Sequence, residues 1–275
     1  GHTAAILSFM VQESPVPIVL VGSQRSSDRP SSDAALNLIH SVRSAAYGEI
    51  AEVVICMFGP TSDSYALLHR GTRCRKMHSS YRSTFRTVGD TPLATVSWDE
   101  FSYLTDDFRR RDRSRKVVID AVYDDRATIL YYYPGMHPDL VDALVENGYR
   151  GIVIAGTGLG HVNKPLYPAL KRAVAAGVHV VMTVQTLWGY AQMYVYDTGR
   201  DLIDIGVVPL DNMLPETALM KLSWVLAHTD DRAEVVRMMR LPISHETTLR
   251  EPHNGYLILQ GGLPDIDEFV ASRWK

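Results

Sequence analysis

The chain has 275 residues, 46% apolar and 21% charged, with a formal net charge of −3. That length fills one large or two medium domains, and that balance excludes a disordered or fibrous protein. The slight acidity excludes a global attraction to nucleic acid. No apolar run is long enough to cross a bilayer, and the two cysteines, Cys56 and Cys74, fit a reducing cytosol.

Gly1–Met10 opens directly in a helical pattern, with Ala4, Ala5, Ile6, Leu7, Phe9 and Met10 and almost no lead-in, so its first residue reads as a cut. Ile18–Val21 is a β-branched apolar run, short enough for a buried strand. Gly22-Ser23-Gln24 ends it, and a polar loop leads to Ser31, Ser32 and Asp33, side chains suited to cap a helix. Ala34–Ala46 is that helix, with an apolar face of Leu36, Leu38, Ile39 and Val42, and Gly48 placed to end it in a left-handed conformation. Strand, polar loop and helix in this order put the loop at the carboxyl end of a parallel strand, where open α/β sheets bind ligands. An ordinary strand-to-helix turn has the same composition.

Glu52–Phe58 is a second buried strand, with Cys56 as a small buried side chain inside it. Ser64–Arg75 alternates irregularly and reads as extended and half-exposed, and strands and loops to residue 105 close a first domain. Residues 106–116 read as a linker. Six cations lie within Arg109–Lys116, a pattern that is usually a solvated face; contact with tRNA phosphates is the lesser alternative. From Val117 the pattern restarts, with VVIDAVY, ATILYYYPG (stopped by Pro134-Gly135), Gly151–Ala155 and Val178–Val184 as strands and Pro138–Asn147 and Pro165–Ala176 as helices. Strands alternating with short helices imply a second parallel sheet over 117–275. Pro215–His228 and Asp231–Met239 are amphipathic helices, Tyr256–Leu259 a last strand and Pro264–Trp274 a terminal helix.

Lys76 is the first candidate for chemistry: an ammonium partly desolvated beside Arg73 and Arg75 gives up its proton more readily and can serve a hydroxyl nucleophile as base. Most lysines are simply solvated. Cys74, flanked by the same arginines, has no motif around it and reads as structural. The ten histidines show no metal-ligand spacing. Gly156-Thr157-Gly158-Leu159-Gly160 follows a strand, but its spacing is not that of a dinucleotide loop and no acidic residue lies about twenty positions on.

Three runs carry a resemblance: VGSQRSSDRPSSDAALNL from Val21, the AGTGLG turn from Ala155, and TGRDL through GVVP to LPETALMKL from Thr198. Together they resemble the bacterial-type L-asparaginase family, and the Gln-Arg-Ser-Ser-Asp-Arg-Pro version is similar to its archaeal tRNA-dependent amidotransferase branch. The resemblance implies an α/β, asparaginase-like fold of two doubly wound parallel-sheet domains, the first (1–105) incomplete at its N-terminus. The family's threonine-bearing nucleophile loop and its Thr-Asp motif would precede the first helix and do not occur in the 275 residues, so the fragment is expected to be inactive alone.

The implied function is the glutaminase half of an amidotransferase that converts Glu-tRNA(Gln) to Gln-tRNA(Gln) in the cytoplasm. Lys76 matches the family's active-site lysine, ahead of Phe85-Arg86-Thr87-Val88. Ser23 and Gln24 match a pair whose backbone holds the substrate amide, and His161 would complete the site of a neighbouring subunit in a homodimer. No cofactor is implied in this half; ATP and Mg belong to the kinase/transamidase partner subunit of the amidotransferase. The alternatives are a stand-alone cytosolic L-asparaginase acting on L-asparagine and a non-catalytic scaffold of the same fold.

Overall fold

The computed structural model describes residues 1–59 and 63–252, so the strand and helix expected at Tyr256–Leu259 and Pro264–Trp274 lie outside the described residues. In chain order the elements are α1 (His2–Met10), β1 (Val11–Gln12), β2 (Ile18–Val21), α2 (Ala34–Tyr47), β3 (Val53–Phe58), β4 (Ala66–Arg70), β5 (Cys74–Lys76), β6 (Phe85–Thr87), β7 (Ala94–Val96), β8 (Phe101–Tyr103) and β9 (Val118–Ile119). They continue with β10 (Ala127–Tyr131), α3 (Asp139–Glu146), β11 (Gly151–Gly156), α4 (Tyr167–Ala175), β12 (His179–Val184), α5 (Asp197–Ile205), β13 (Val208–Pro209), α6 (Pro215–Leu226) and α7 (Arg232–Arg240). Two compact units form, one containing residues 11–119, the other 2–10 and 120–250.

The first unit holds a five-stranded sheet in the order β2-β3-β4-β7-β8. Parallel pairing is confined to β2 and β3, and the rest of the sheet continues antiparallel because β4, β7 and β8 are joined by loops without a crossover helix. Its core is Ile50, Val54, Cys56, Ala66, Leu68, Leu93, Ala94, Val96 and Phe108. β4 is buried along its whole length, not half-exposed as its alternation led us to expect. Its polar members are paired there. Arg70 donates from Nε to Glu52 at 2.9 Å, from Nη1 to Asp90 at 2.7 Å and from Nη2 to the Asp107 carbonyl. His69 Nδ1 meets Thr87 Oγ1 at 2.9 Å.

The second unit is the alternating architecture expected from the sequence. Its sheet, β10-β11-β12-β13, is parallel throughout. β11 and β12 are buried on both faces: Ile152, Ile154, Val180 and Met182 join one apolar cluster with α3 and α4, and Val153 and Val181 join another with α6 and α7. Phe9 of α1 stacks on Trp224 with centroids 6.3 Å apart, so α1 groups with this unit although it comes first in the chain. Lys221 of α6 is fully buried and donates to the Met239 and Leu241 carbonyls at 3.0 and 2.6 Å and to Glu246. Glu246 in turn accepts from the Ile243 and Ser244 amides.

The stretch 106–116 is not a free linker. The Ala51 amide donates to the Arg109 carbonyl at 2.7 Å, Arg111 donates to the Gly48 and Ala45 carbonyls at the end of α2, and Arg109 and Arg115 both approach Glu13. Arg109, Arg111 and Arg115 are engaged in this way, whereas Arg110, Arg113 and Lys116 are exposed, so the stretch keeps a solvated basic side.

Candidate functional site

Two findings revise the expectation for α2. Its buried residues are Asn37, His40, Ser41 and Ser44, and Leu38, Ile39 and Val42 face outward. The two serines are satisfied locally, Ser41 and Ser44 donating to the Asn37 and His40 carbonyls, each at 2.7 Å, whereas both ring nitrogens of His40 and Asn37 Oδ1 are buried without a partner among the described residues. The serines also hydrogen-bond the Cys56 thiol, which burial nevertheless pushes up to about 11, so that residue is structural. Gly48 is extended at φ −67°, not left-handed; it is a glycine because a Cβ there would lie 2.5 Å from the Ser44 carbonyl oxygen.

The loop between β2 and α2 is held by one carboxylate. Asp33 is 1% exposed and makes no capping bond with its side chain. Instead it accepts from the Gln24 amide at 3.0 Å, the Arg25 amide at 2.9 Å and Asn37 Nδ2 at 2.8 Å. Asn37 Nδ2 also reaches the Gly22 carbonyl at 3.1 Å. Ser32 takes the local capping role, its Oγ accepting from the Ala34 amide at 3.2 Å. Arg25 and Ser32 tie the rest of the loop to itself, through the Pro30 and Arg25 carbonyls. The result is a strand-end loop whose backbone is held at Gly22, Gln24 and Arg25, on either side of Ser23, while the Ser23 side chain stays exposed.

Gln24 Nε2 donates to the Ser79 carbonyl at 3.4 Å, so this loop meets the segment that begins immediately after Lys76. Lys76 closes β5 opposite Phe85 and is exposed. Strand alternation turns Arg75 to the other face, and Arg73 is wholly buried, so burial does not desolvate this lysine as its neighbours led us to expect. The segment beyond it is ordered by its own bonds. The Met77 amide donates to the Thr84 carbonyl at 2.8 Å, and His78 Nδ1 accepts from the Ser80 and Tyr81 amides at 3.0 and 2.9 Å. Accepting at Nδ1 leaves the His78 proton on Nε2.

His161 belongs to the second unit. It follows a tight turn in which Thr157 and His161 exchange backbone bonds at 3.0 and 2.9 Å, with Gly158 and Gly160 at φ +53° and +93°. No helix follows at once, in keeping with the rejection of a dinucleotide loop. His161 Nδ1 lies 3.2 Å from Thr198 Oγ1, its ring stands 5.6 Å from that of Tyr196, and Nε2 has no partner among the described residues. The sequence reads Asp33 only as a helix cap and singles out neither Asn37 nor Thr198. The first two share a helical i, i+4 spacing, the only advance sign of their pairing. Among the described residues no group of three or more His, Cys, Asp or Glu is arranged to hold a metal ion, and no helix is long and apolar enough to cross a membrane.

The family model for the asparaginase N-terminal domain matches residues 1–109, and that for the glutaminase/asparaginase C-terminal domain matches residues 126–239. This chain belongs to the asparaginase–glutaminase family. Its fold follows suit. The structure overlays on the thermostable L-asparaginase from Thermococcus kodakarensis with a TM-score of 0.81 at 29% identity, covering 90% of this chain and 72% of that one. L-asparaginase I from Vibrio cholerae gives 0.79 at 29%, covering 90% and 73%.

Among curated family members, the chain is 53% identical over 249 residues to the D subunit of glutamyl-tRNA(Gln) amidotransferase from Thermococcus kodakarensis, covering 90% of this chain and 56% of the relative. The corresponding protein of Metallosphaera sedula is 50% identical over 241 residues, covering 87% and 54%. The chain thus spans a little over half the length of the curated relatives it matches.

Proposed function

We propose that the protein carrying this chain is the glutaminase subunit of a tRNA-dependent amidotransferase. The observation that supports this over a stand-alone asparaginase is the contrast in identity, 53% to an amidotransferase subunit against 29% to an asparaginase from the same organism. In this reading a threonine hydroxyl of the family's nucleophile motif attacks the side-chain carboxamide carbon of L-glutamine. The C–N bond breaks, ammonia leaves, and water then releases glutamate from the acyl-enzyme ester. Lys76 assists the removal and return of the hydroxyl proton. The Ser23 and Gln24 backbone, fixed by Asp33, orients the amide, and His161 completes the site of a neighbouring copy.

Ammonia then serves the kinase/transamidase partner, which activates Glu-tRNA(Gln) with ATP and Mg, and the complex works in the cytoplasm. The glutaminase half itself needs no cofactor for amide hydrolysis. The test is ammonia release by the full-length protein from L-glutamine and L-asparagine, with and without the kinase/transamidase partner and Glu-tRNA(Gln). Glutamine turnover stimulated by both is expected. Equal turnover of asparagine, indifferent to either, would return the protein to the stand-alone asparaginases.

A further inference from the structure

Between β5 and β6 the chain runs through residues 77–84 without regular structure, yet two side chains close it into a hook. Thr84, 1% exposed, clamps the base. The Met77 amide donates to its carbonyl at 2.8 Å, and its Oγ1 accepts from the His78 amide at 3.0 Å and donates to the His78 carbonyl. His78 shapes the tip. Its Nδ1 accepts from the Ser80 and Tyr81 amides, two and three positions on, so one ring nitrogen turns the chain back. The returning limb is held where Arg82 lies over the buried Phe58 ring, 5.0 Å from its centroid, and pairs with Asp63. Ser79 stands inside this turn, and its carbonyl accepts from Gln24 Nε2.

We propose, resting on the glutaminase reading above, that His78 is a positioning residue for substrate-amide binding. Its ring folds the hook, and the hook presents the Ser79 carbonyl. That carbonyl holds the Gln24 side chain, and with it the loop that orients the amide. Residues 78–81 are exposed, where water would also serve the Ser80 and Tyr81 amides, so these bonds direct the chain more than they stabilise it. Lys76 is placed without the hook, by its strand pairing with Phe85. The hook therefore acts on binding of the amide, while proton transfer by the lysine is set separately.

The test uses the full-length protein, with KM and kcat measured for L-glutamine and L-asparagine. His78→Phe keeps a ring beside that of Tyr81, 5.7 Å away, but has no acceptor. His78→Asn loses the ring but carries Oδ1 as many bonds from the backbone as Nδ1, able to accept the same two amides. His78→Phe is expected to raise KM about tenfold, to leave kcat within about threefold, and to speed amide hydrogen exchange at Ser80 and Tyr81 about tenfold. His78→Asn should return all three towards wild type. In a Gln24→Ala background, which already lacks the tie to Ser79, His78→Phe should raise KM no further. An unchanged KM in His78→Phe overturns the inference. So does a His78→Asn variant that behaves like His78→Phe, or additive effects in the double variant. If His78→Phe does not fold, His78→Ala takes its place in each comparison. A wild-type preference for asparagine overturns the glutaminase reading alone, because the same comparisons are then read on the asparagine KM. Turnover of neither amide by the wild type overturns both.

Discussion

Both carboxylate oxygens of Asp33 lie 3.0 Å from the backbone nitrogen of Gln24, nine residues earlier in the chain. A buried carboxylate that gathers amides in this way acts on the loop, not on the helix it precedes. Asp33→Ala leaves the Gln24 and Arg25 amides without their acceptor and is expected to cost about 1.5–3 kcal/mol, read from denaturant midpoints. In the full-length protein the loosened backbone should also lower kcat/KM for glutamine by about 10²-fold. Loss of stability with unchanged kinetics would leave Asp33 as a fold residue only.

Lys76 gives the opposite pattern. It is exposed at the end of a short strand, so Lys76→Ala is expected to move stability by less than about 0.5 kcal/mol. Ammonia release by the full-length protein should fall by about 10²-fold or more. Wild-type turnover in that variant would remove Lys76 from the site.

The buried His69 makes stability depend on pH. Burial, with a smaller contribution from Arg86, lowers its pKa from 6.5 to about 3. Between those values the unfolded chain binds a proton that the folded chain refuses, so stability falls as pH drops below about 6.5, by about 1.4 kcal/mol per unit. His40 and His179, both lowered chiefly by burial, act with the same sign. Denaturant midpoints at pH 7, 6 and 5 should fall steadily, and His69→Gln should flatten part of the slope. A midpoint constant over that range would contradict the assignment.

Lys221→Met strips the ammonium from Glu246 and from two carbonyls, and should destabilise the second unit by about 3–5 kcal/mol. Adding Glu246→Leu is expected not to restore it, because the Ile243 and Ser244 amides then lose their acceptor. Recovery to wild-type stability in the double variant would show that the pair contributes nothing beyond its volume.

Much of the second unit was legible in advance, since β11 and β12 are mainly apolar runs beside glycine-ended helices. α2 was not legible. Its apolar spacing correctly predicts a helix but reverses which side is buried, because Asn37, Ser41 and Ser44 find partners on their own turns and on Cys56. β4 escaped for a related reason: His69 and Arg70 look like surface residues until Thr87, Glu52 and Asp90, each about eighteen or twenty positions away, are brought beside them. Among the candidate site residues, Lys76 was singled out beside Arg73 and Arg75 and then matched by resemblance, whereas Ser23 and Gln24 came from resemblance alone. Asp33 was hidden because a helix cap and a loop clamp call for the same side chain.

Arg70 has a further consequence for how the first sheet finds its alignment. A strand covered on both sides loses little by sliding one step, since one greasy surface replaces another. Here a slip would carry the guanidinium off Glu52 and Asp90 and strand it in hydrocarbon, so the ion cluster works as an indexing pin that rejects misaligned pairings as the sheet assembles.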